Sequence, residues 1–376
     1  MKTGIIEPAL LEENITKRIE ADIAEQRISG ASVAVCQHGR LLLKKAFGVQ
    51  VPGESAPLRE DAIFRIASMT KPITAVAVLM QAQRGKLKIE DPVSQYLPAY
   101  EKLVVGPERA PCQEPLRVWH LLTHTSGMEA DLEAKLWVKA IPPERQRTLA
   151  ETMDVYLERP IAFEPGTMRK YSGRAAFDIL ARIVEISAGV DFGTFVKEEI
   201  FDPCGMVDTT FAPTEAQWQR VVGMHDYQDG CAVLSPTTPG CVVDCVPVTH
   251  TLGGSGLVST IDDYVKFAQM LLNKGMTEKG RILDASRIDQ MATHQLPTEL
   301  MNEKVNQGLG VRVIVGEKYP WLPVGSYGWS GAYGPHFWVD PVNGITAVYM
   351  KNSRYDGGSG STTGKHFEED VFGSIQ

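Results

Sequence analysis

Apolar residues between positions 68 and 84 recur at the spacing of one helix face. The intervals are four, three and four residues, at Met69, Ile73, Val76 and Met80. This period is typical of an amphipathic helix with one buried side. Pro72 fits its first turn, where the missing N–H leaves no intrahelical hydrogen bond unmade. The pattern therefore predicts a helix over 68–84, with Gly85 near its end.

Other segments repeat the helical period, and a second group has the composition of strands. Helices are predicted at 9–28, 116–123, 148–157, 173–188, 192–201, 260–273, 284–294 and 364–373. Apolar runs that contain β-branched residues predict strands at 31–36, 41–49, 309–315, 327–339 and 345–351. His-Gly-Arg at 38–40 separates the first two strands, which predicts a β-hairpin.

The order of these elements predicts the fold class. Two or three strands at either end of a chain are not stable alone, so both ends are expected to share one antiparallel sheet. We predict an α+β fold in which N- and C-terminal helices flank this sheet and a large, mostly helical lobe is inserted. The whole chain, 1–376, is then one domain, with an α/β lobe at about 1–67 plus 300–376 and a helical lobe at about 68–299. A cleft between the lobes is the expected place for a site.

Composition narrows the classes of partner. The formal net charge of −8 over 376 residues argues against nucleic acid, whose binding needs a basic face. There is no run of about 18 apolar residues, so no membrane span is predicted. The first residues contain no apolar stretch typical of a signal peptide, which leads us to expect a cytoplasmic location. Nothing in the composition indicates the oligomeric state.

The cysteines raise the question of a metal. Four of the six fall between 204 and 245, near His225 and His250, and only Cys241 and Cys245 are close in sequence. A zinc finger or ribbon repeats its short cysteine spacing, and this chain does not. We therefore expect free thiols, and neither a metal nor a cofactor.

The start of the 68–84 helix holds candidate chemistry. Ser68 and Lys71 are three residues apart, one turn along the same face, which brings the amine near the hydroxyl. A serine hydroxyl is a weak nucleophile until a neighbouring group takes its proton. By itself the pattern is weak, because a chain of this length contains about one Ser-x-x-Lys by chance. The alternative interpretation is an N-cap serine followed by a solvated lysine.

Further motifs give this pair a context. They are Ser-Met-Thr-Lys at 68–71, Leu-Leu-Thr-His-Thr-Ser-Gly at 121–127, Tyr-Ser-Gly at 171–173, Gly-Gly-Ser-Gly-Leu at 253–257 and Trp-Ser-Gly at 329–331. In order and rough spacing the chain resembles the serine β-lactamase-like and penicillin-binding proteins, over about residues 10–375. That family includes class C β-lactamases, D,D-carboxypeptidases, D-aminopeptidases and family VIII carboxylesterases. Ser-x-x-Lys is among the motifs of penicillin-binding enzymes.

The resemblance implies a role for each motif. It implies that Ser68 is the nucleophile and that Tyr171 and Lys71 share its proton, the lysine cation favouring the phenolate. The strand with Trp329, Ser330 and Gly331 is expected to line the other wall of the cleft. A backbone N–H just after it, at Ala332, is expected to join that of Ser68 as an oxyanion hole. Tyr333 is a candidate substrate contact.

Two departures from the family pattern bear on the substrate. β-Lactamases and D,D-peptidases usually carry Asn where this chain has Gly173, and a Lys or His where it has Trp329. Those groups hold the amide and carboxylate of a β-lactam, and losing a charge-assisted hydrogen bond costs about 1.5–3 kcal/mol. Tryptophan offers apolar area instead, and family VIII esterases have Trp-x-Gly there. The sequence thus predicts a carboxylesterase acting on small uncharged esters through an acyl-enzyme.

Several alternatives stay open at this point. Within the same family the chain could be a β-lactamase, a D-amino-acid peptidase or amidase, or an acyltransferase. From another class, it could be a non-catalytic homologue with a binding role. Three histidines next to the motifs are interpreted as structural, His124 in a turn and His250 and His336 in the core or at the rim. The glycines at 253, 254 and 256 are expected to form a tight turn near the cleft.

Overall fold

The computed structural model describes residues 4–237, 250–358 and 360–376. Its strands, in chain order, are β1 (Gly30–Gln37), β2 (Arg40–Gly48), β3 (Ile63–Arg65), β4 (Val104–Val105), β5 (Ala110–Pro111), β6 (His225–Gln228), β7 (Cys231–Leu234), β8 (Val258–Thr260), β9 (Met276–Thr277), β10 (Gly280–Arg281), β11 (Val305–Gln307), β12 (Arg312–Ile314), β13 (Tyr327–Ser330), β14 (His336–Asp340) and β15 (Ile345–Met350). Seven of these form the main sheet, in the order β11-β12-β13-β14-β15-β1-β2. All neighbours in it are antiparallel.

The α-helices are α1 (Pro8–Ala24), α2 (Thr70–Gln83), α3 (Val118–Leu122), α4 (Leu132–Lys139), α5 (Leu149–Tyr156), α6 (Ala175–Ala188), α7 (Phe192–Val196), α8 (Asp202–Cys204), α9 (Glu215–Trp218), α10 (Ile261–Leu272), α11 (Ala285–Ala292) and α12 (Thr362–Gly373). A π-helical segment, Lys197–Phe201, joins α7 to α8. A 3₁₀ turn, Ala67–Met69, precedes α2.

The main sheet is buried on both faces. In β15, Ala347 and Tyr349 pack with α1 and α12, whereas Val348 and Met350 point into the larger core that contains α2, α6 and α10. Successive side chains of a strand alternate between faces, so a strand covered on both sides is apolar throughout. This burial explains why the strand-forming runs near both chain ends are continuously apolar. The helices between β2 and β11 lie outside the sheet layer.

The α+β class and the antiparallel sheet flanked by terminal helices are confirmed. The helix predicted at 68–84 and the hairpin of β1 and β2 are also confirmed. The N-terminal helix ends at Ala24, earlier than predicted, because the chain leaves the helical conformation at Gln26 (φ 59°). Gly30 is the first residue of β1.

The prediction of one strand over 327–339 is wrong. The segment forms two strands, β13 and β14, joined by a tight turn. In this turn the Gly331 N–H donates to the Pro335 carbonyl at 2.7 Å, and Gly334 takes a φ of 93°, a left-handed conformation that favours glycine. The sequence also missed helix α4 and the pairing of β3 with β8.

Two further observations concern membranes and metals. None of the helices in the described part of the chain has the length and apolar character needed to cross a membrane. Within residues 4–237, 250–358 and 360–376, no three His, Cys, Asp or Glu side chains are grouped as metal ligands would be. Cys241 and Cys245 lie outside the described residues.

Candidate active site

Ser68 lies on the 3₁₀ turn that leads into α2 and is held there by buried contacts. Ala67 has a φ of 45°, a left-handed conformation that costs a residue with a Cβ about 1–3 kcal/mol. The Thr70 hydroxyl donates to the Ala67 carbonyl at 2.7 Å, and the Tyr264 hydroxyl donates to the Met69 carbonyl at 2.7 Å. These bonds hold the strained turn, which leaves Ser68 half-buried at its outer edge.

Lys71 is fully buried one turn below Ser68. Its Nζ donates to the carbonyls of Gly173 at 2.6 Å and Gly254 at 2.7 Å, and it lies 3.2 Å from Ser68 Oγ. Since carbonyl oxygens only accept, two N–H bonds of the lysine are directed at these carbonyls. The third direction faces Ser68, as an N–H of the ammonium or as the lone pair of the amine. Lys71 is thus placed to give a proton to Ser68 Oγ or to take one from it.

Tyr171 completes the group around Ser68. Its hydroxyl lies 2.7 Å from Ser68 Oγ, and Lys71 Nζ is 5.0 Å from the centroid of its ring. Ser68 Oγ therefore contacts two groups able to accept its proton, one in the first turn of α2 and one 103 residues along the chain. The structure brings together Ser68, Lys71 and Tyr171, the three residues that the sequence singles out for catalysis.

The glycines at 253 and 254 are required by close packing. A Cβ added at Gly253 would lie 2.3 Å from the Phe177 carbonyl oxygen, and one added at Gly254 would lie 3.2 Å from that of Arg174. The Thr74 hydroxyl donates to the Gly253 carbonyl at 2.6 Å, beside the bond from Lys71 to Gly254. This close approach to α6 places the Gly254 carbonyl against the lysine.

Glu129 organises the Tyr171 segment and was missed by the sequence analysis. Its Oε2 accepts hydrogen bonds from the Arg174 N–H at 2.7 Å, the Ala175 N–H at 2.9 Å and the Ser172 hydroxyl at 3.1 Å. It thereby caps the N-terminus of α6, where a carboxylate is favoured. Burial raises the pKa of Glu129, although these hydrogen bonds and the nearby Lys71 oppose that shift.

The same carboxylate explains Gly173. A Cβ at this position would lie 3.0 Å from Glu129 Oε1. Gly173→Asn introduces the residue that is usual in β-lactamases. We expect this side chain to displace the Glu129 carboxylate from its capping position. We expect the free energy of unfolding of this variant to fall by about 1–3 kcal/mol, in the range for overpacked sites, as measured by urea denaturation. Gly189→Asn is the matched control, because Gly189 is a left-handed C-cap with open space around it. A Gly173→Asn variant as stable as the wild type would contradict this account of Glu129.

A cavity of about 460 Å³ opens above Ser68 and Tyr171. Trp329, Ser330, Gly331 and Ala332 form one wall, as the sequence predicts. The Gly331 N–H is engaged by Pro335, which supports the choice of the next residue, Ala332, as a candidate oxyanion donor. Trp329 itself is buried and stacks on the His124 ring, with 5.7 Å between ring centroids.

The other candidates lie around this cavity rather than in it. Tyr333, a predicted substrate contact, does not line it and is buried against Ala67 and Met224. His124 contacts Tyr171 and Trp329, and burial, aided by nearby cations, lowers the pKa of this imidazole well below its ordinary value of 6.5. The side chains that hydrogen bond to Ser68 Oγ are those of Tyr171 and Lys71, in agreement with a structural role for His124.

The structure also gives the positions of His250 and His336, the other two histidines considered as candidates. His250 Nδ1 bonds the Gln146 carbonyl at 2.7 Å and lines a separate cavity. His336 lies behind the third motif, where Nδ1 is 2.9 Å from Ser330 Oγ and Nε2 is 2.9 Å from Glu368 Oε1. His336 therefore reaches the site only through Ser330.

Fold, motif order and site geometry agree with one family. The Beta-lactamase family model matches residues 15–366, and the chain belongs to this family. Esterase EstB from Burkholderia gladioli is 29% identical over 382 residues, covering 95% of this chain and 94% of that protein. Among solved structures, EstCE1, described as a hydrolase with promiscuous acyltransferase activity, has a TM-score of 0.82 at 21% identity, over 97% of this chain and 99% of the other. Simvastatin synthase LovD from Aspergillus terreus has a TM-score of 0.79 at 20% identity, over 99% and 100%.

Proposed function

We propose that this protein is a serine hydrolase that works through an acyl-enzyme, and that it is a carboxylesterase. The observation that carries the proposal is the contact of Ser68 Oγ with both Tyr171 Oη and Lys71 Nζ, at 2.7 Å and 3.2 Å, at the edge of a cavity. A hydroxyl in contact with two potential bases is the arrangement that activates a serine nucleophile. The name of the relative EstB supports the ester as substrate.

The proposed reaction has two halves. Ser68 Oγ attacks the ester carbonyl while its proton passes to Tyr171, with Lys71 supplying the neighbouring positive charge. The N–H groups of Ser68 and Ala332 donate to the oxyanion, a contribution of about 3–4 kcal/mol per donor in comparable enzymes. Tyr171 then returns the proton to the leaving alcohol, and the acyl group stays on Ser68. Water attacks this acyl-enzyme with the proton transfers reversed.

The preference for esters over β-lactams follows from the second and third motifs. Gly173 has no side-chain amide, a Cβ added there would lie 3.0 Å from Glu129 Oε1, and Trp329 carries no cation. A β-lactam therefore lacks the side-chain partners for its amide at 173 and for its carboxylate at 329.

Parallel assays of p-nitrophenyl butyrate and nitrocefin test this preference. We expect kcat/KM for the ester to exceed that for nitrocefin by about tenfold, the effect of the one amide hydrogen bond that an asparagine at 173 would make and Gly173 cannot. Nitrocefin turnover that exceeds ester turnover would assign the chain to the β-lactamases. If a fluorophosphonate does not label Ser68 in the wild-type protein, a non-catalytic homologue is favoured instead.

Acyl transfer is the second outcome that the same assay can detect. If an alcohol replaces water at the acyl-enzyme, added methanol should raise the rate of p-nitrophenol release and yield methyl butyrate. The promiscuous acyltransferase activity named for EstCE1 motivates this measurement. For a hydrolase we expect butyrate as the main product even with methanol present, as measured by gas chromatography.

A further inference from the structure

The cavity above Ser68 is basic, although the protein is acidic. Its lining includes two arginines, Arg169 and Arg312, and three side-chain amides, Asn302, Asn306 and Gln307, and among the described residues that line it there is no aspartate or glutamate. The chain as a whole carries a formal net charge of −8. Two cations without an acid in a concave site produce a locally positive potential that attracts anions.

Of the two arginines, Arg169 has the positive charge that neighbouring groups neutralise less. Its Nη2 donates to Gln307 Oε1 at 3.1 Å, whereas its buried Nε has no hydrogen-bond partner. In the described part of the chain, no carboxylate lies within ion-pair distance of it. Burial lowers the pKa of Arg169 from its ordinary value, but a guanidinium stays charged at neutral pH. A desolvated cation that lacks a counter-ion gains from binding an anion.

Arg312 adds a second positive charge, which is only partly neutralised. Its Nη2 lies 3.4 Å from Glu368 Oε1, and His336 Nε2 approaches the same oxygen at 2.9 Å. Burial raises the pKa of Glu368, but its contacts with His336, Arg312 and Tyr319 outweigh burial and lower it. One ionised carboxylate is thus shared between Arg312 and His336, and it lies outside the cavity lining.

The Ser330 hydroxyl faces the same cavity and is oriented from behind. His336 Nδ1 lies 3.2 Å from the Trp329 carbonyl oxygen and 2.9 Å from Ser330 Oγ. His336 Nε2 faces the Glu368 carboxylate oxygen, which only accepts, so Nε2 carries a ring proton. The contact between Ser330 Oγ and His336 Nδ1 thereby holds the serine side chain at the cavity wall.

From these contacts we propose that the natural substrate is an ester that carries a carboxylate, bound by Arg169 with help from Arg312. This inference rests on the proposed esterase function and replaces the uncharged ester that the sequence predicts. Trp329 removes the cation from the third motif, but Arg169 and Arg312 bring two cations to the same cavity from other segments. The carboxylate supplies a counter-ion to a half-buried guanidinium whose hydrogen bond in the described part of the chain is to the neutral Gln307 amide.

Two pairs of synthetic esters test the proposal, each pair differing only in one charge. On the acyl side these are mono-p-nitrophenyl glutarate and its neutral methyl ester. On the alcohol side they are 3-carboxyphenyl butyrate and its methyl ester. We expect the ratio of kcat/KM, charged over neutral, to exceed about ten for one pair, as for a charge-assisted hydrogen bond. That ratio should fall with added salt, since screening weakens attraction between charges.

Arg169→Gln should lower the same ratio about tenfold or more, mainly through KM for the charged ester. Because the ratio cancels any effect common to both esters, it separates carboxylate binding from an influence of Arg169 on Tyr171. Lys170→Gln is the matched control: it removes one positive charge from the adjacent, exposed position and should leave the ratio unchanged. If Arg169→Gln does not fold, Arg169→Lys should keep the ratio above one but below the wild-type value, because it retains the charge without the planar fork.

Two outcomes would overturn the proposal. One is a wild-type ratio at or below one for both pairs, and the other is a ratio that Arg169→Gln and Arg169→Lys leave unchanged. Neither affects the proposed function, which is tested separately by turnover of the neutral esters and its loss in Ser68→Ala. If neither the charged nor the neutral esters are turned over, the proposed function itself fails, and this outcome is distinct from a ratio at or below one.

Discussion

Ser68→Ala is expected to abolish ester hydrolysis and to leave the fold intact. The substitution removes only Oγ, the atom that contacts both Tyr171 and Lys71. Without a nucleophile no acyl-enzyme can form, so we expect kcat for p-nitrophenyl butyrate to fall by about 10⁴-fold or more, as for nucleophile removal in other serine hydrolases. The turn itself is held by the bonds of Thr70 and Tyr264, and we therefore expect a near-wild-type melting temperature.

Covalent labelling makes this prediction specific to one residue. A fluorophosphonate should add one adduct to the wild type, located at residue 68 by mass spectrometry, and none to Ser68→Ala. Ser187→Ala is the matched control. The Ser187 hydroxyl donates to the Val184 carbonyl at the end of α6, and Ser187 does not line the cavity above Ser68. An active, well-folded Ser68→Ala variant, or an adduct on another serine, would show that the nucleophile has been misassigned.

Tyr171→Phe is expected to lower kcat by about 10²–10⁴-fold, the usual contribution of a general acid–base group. The variant removes the hydroxyl 2.7 Å from Ser68 Oγ and keeps the ring that contacts His124 and Trp329. Stability should change little, because Tyr171 is half-buried and, among the described residues, the side-chain hydrogen bond that is lost is the one to Ser68. The measurement is kcat for p-nitrophenyl butyrate beside the melting temperature.

Tyr227→Phe provides the control for this variant, since its ring stacks on Tyr355 away from the cavity and phenylalanine preserves that stacking. If Tyr171→Phe retained full activity, Lys71 alone would have to move the serine proton. Lys71→Met would then be decisive, although it also leaves the carbonyls of Gly173 and Gly254 without their donor and should cost about 1–3 kcal/mol for each in stability.

Local patterns were sufficient for most elements of this fold. The 3.6-residue period predicted α2 and the face shared by Ser68 and Lys71, and the short break between β1 and β2 predicted their hairpin. Errors arose where a local signal was ambiguous. The run 327–339 is apolar on both sides of its turn because β13 and β14 are both buried, so hydrophobicity alone could not locate the turn between them.

The sequence by itself determined the α+β class, the Ser68–Lys71 pairing along one helix and, through family resemblance, the contribution of Tyr171. Periodicity reports only which face of an element is buried, so it is silent on contacts between distant segments. Tertiary structure alone decided that Glu129 fills the space beside Gly173 and that the Gly254 carbonyl holds Lys71. It also brought Arg169 and Arg312, 143 residues apart, to one cavity. The charge of a binding site depends on which side chains the fold gathers there, and no single motif contains that information.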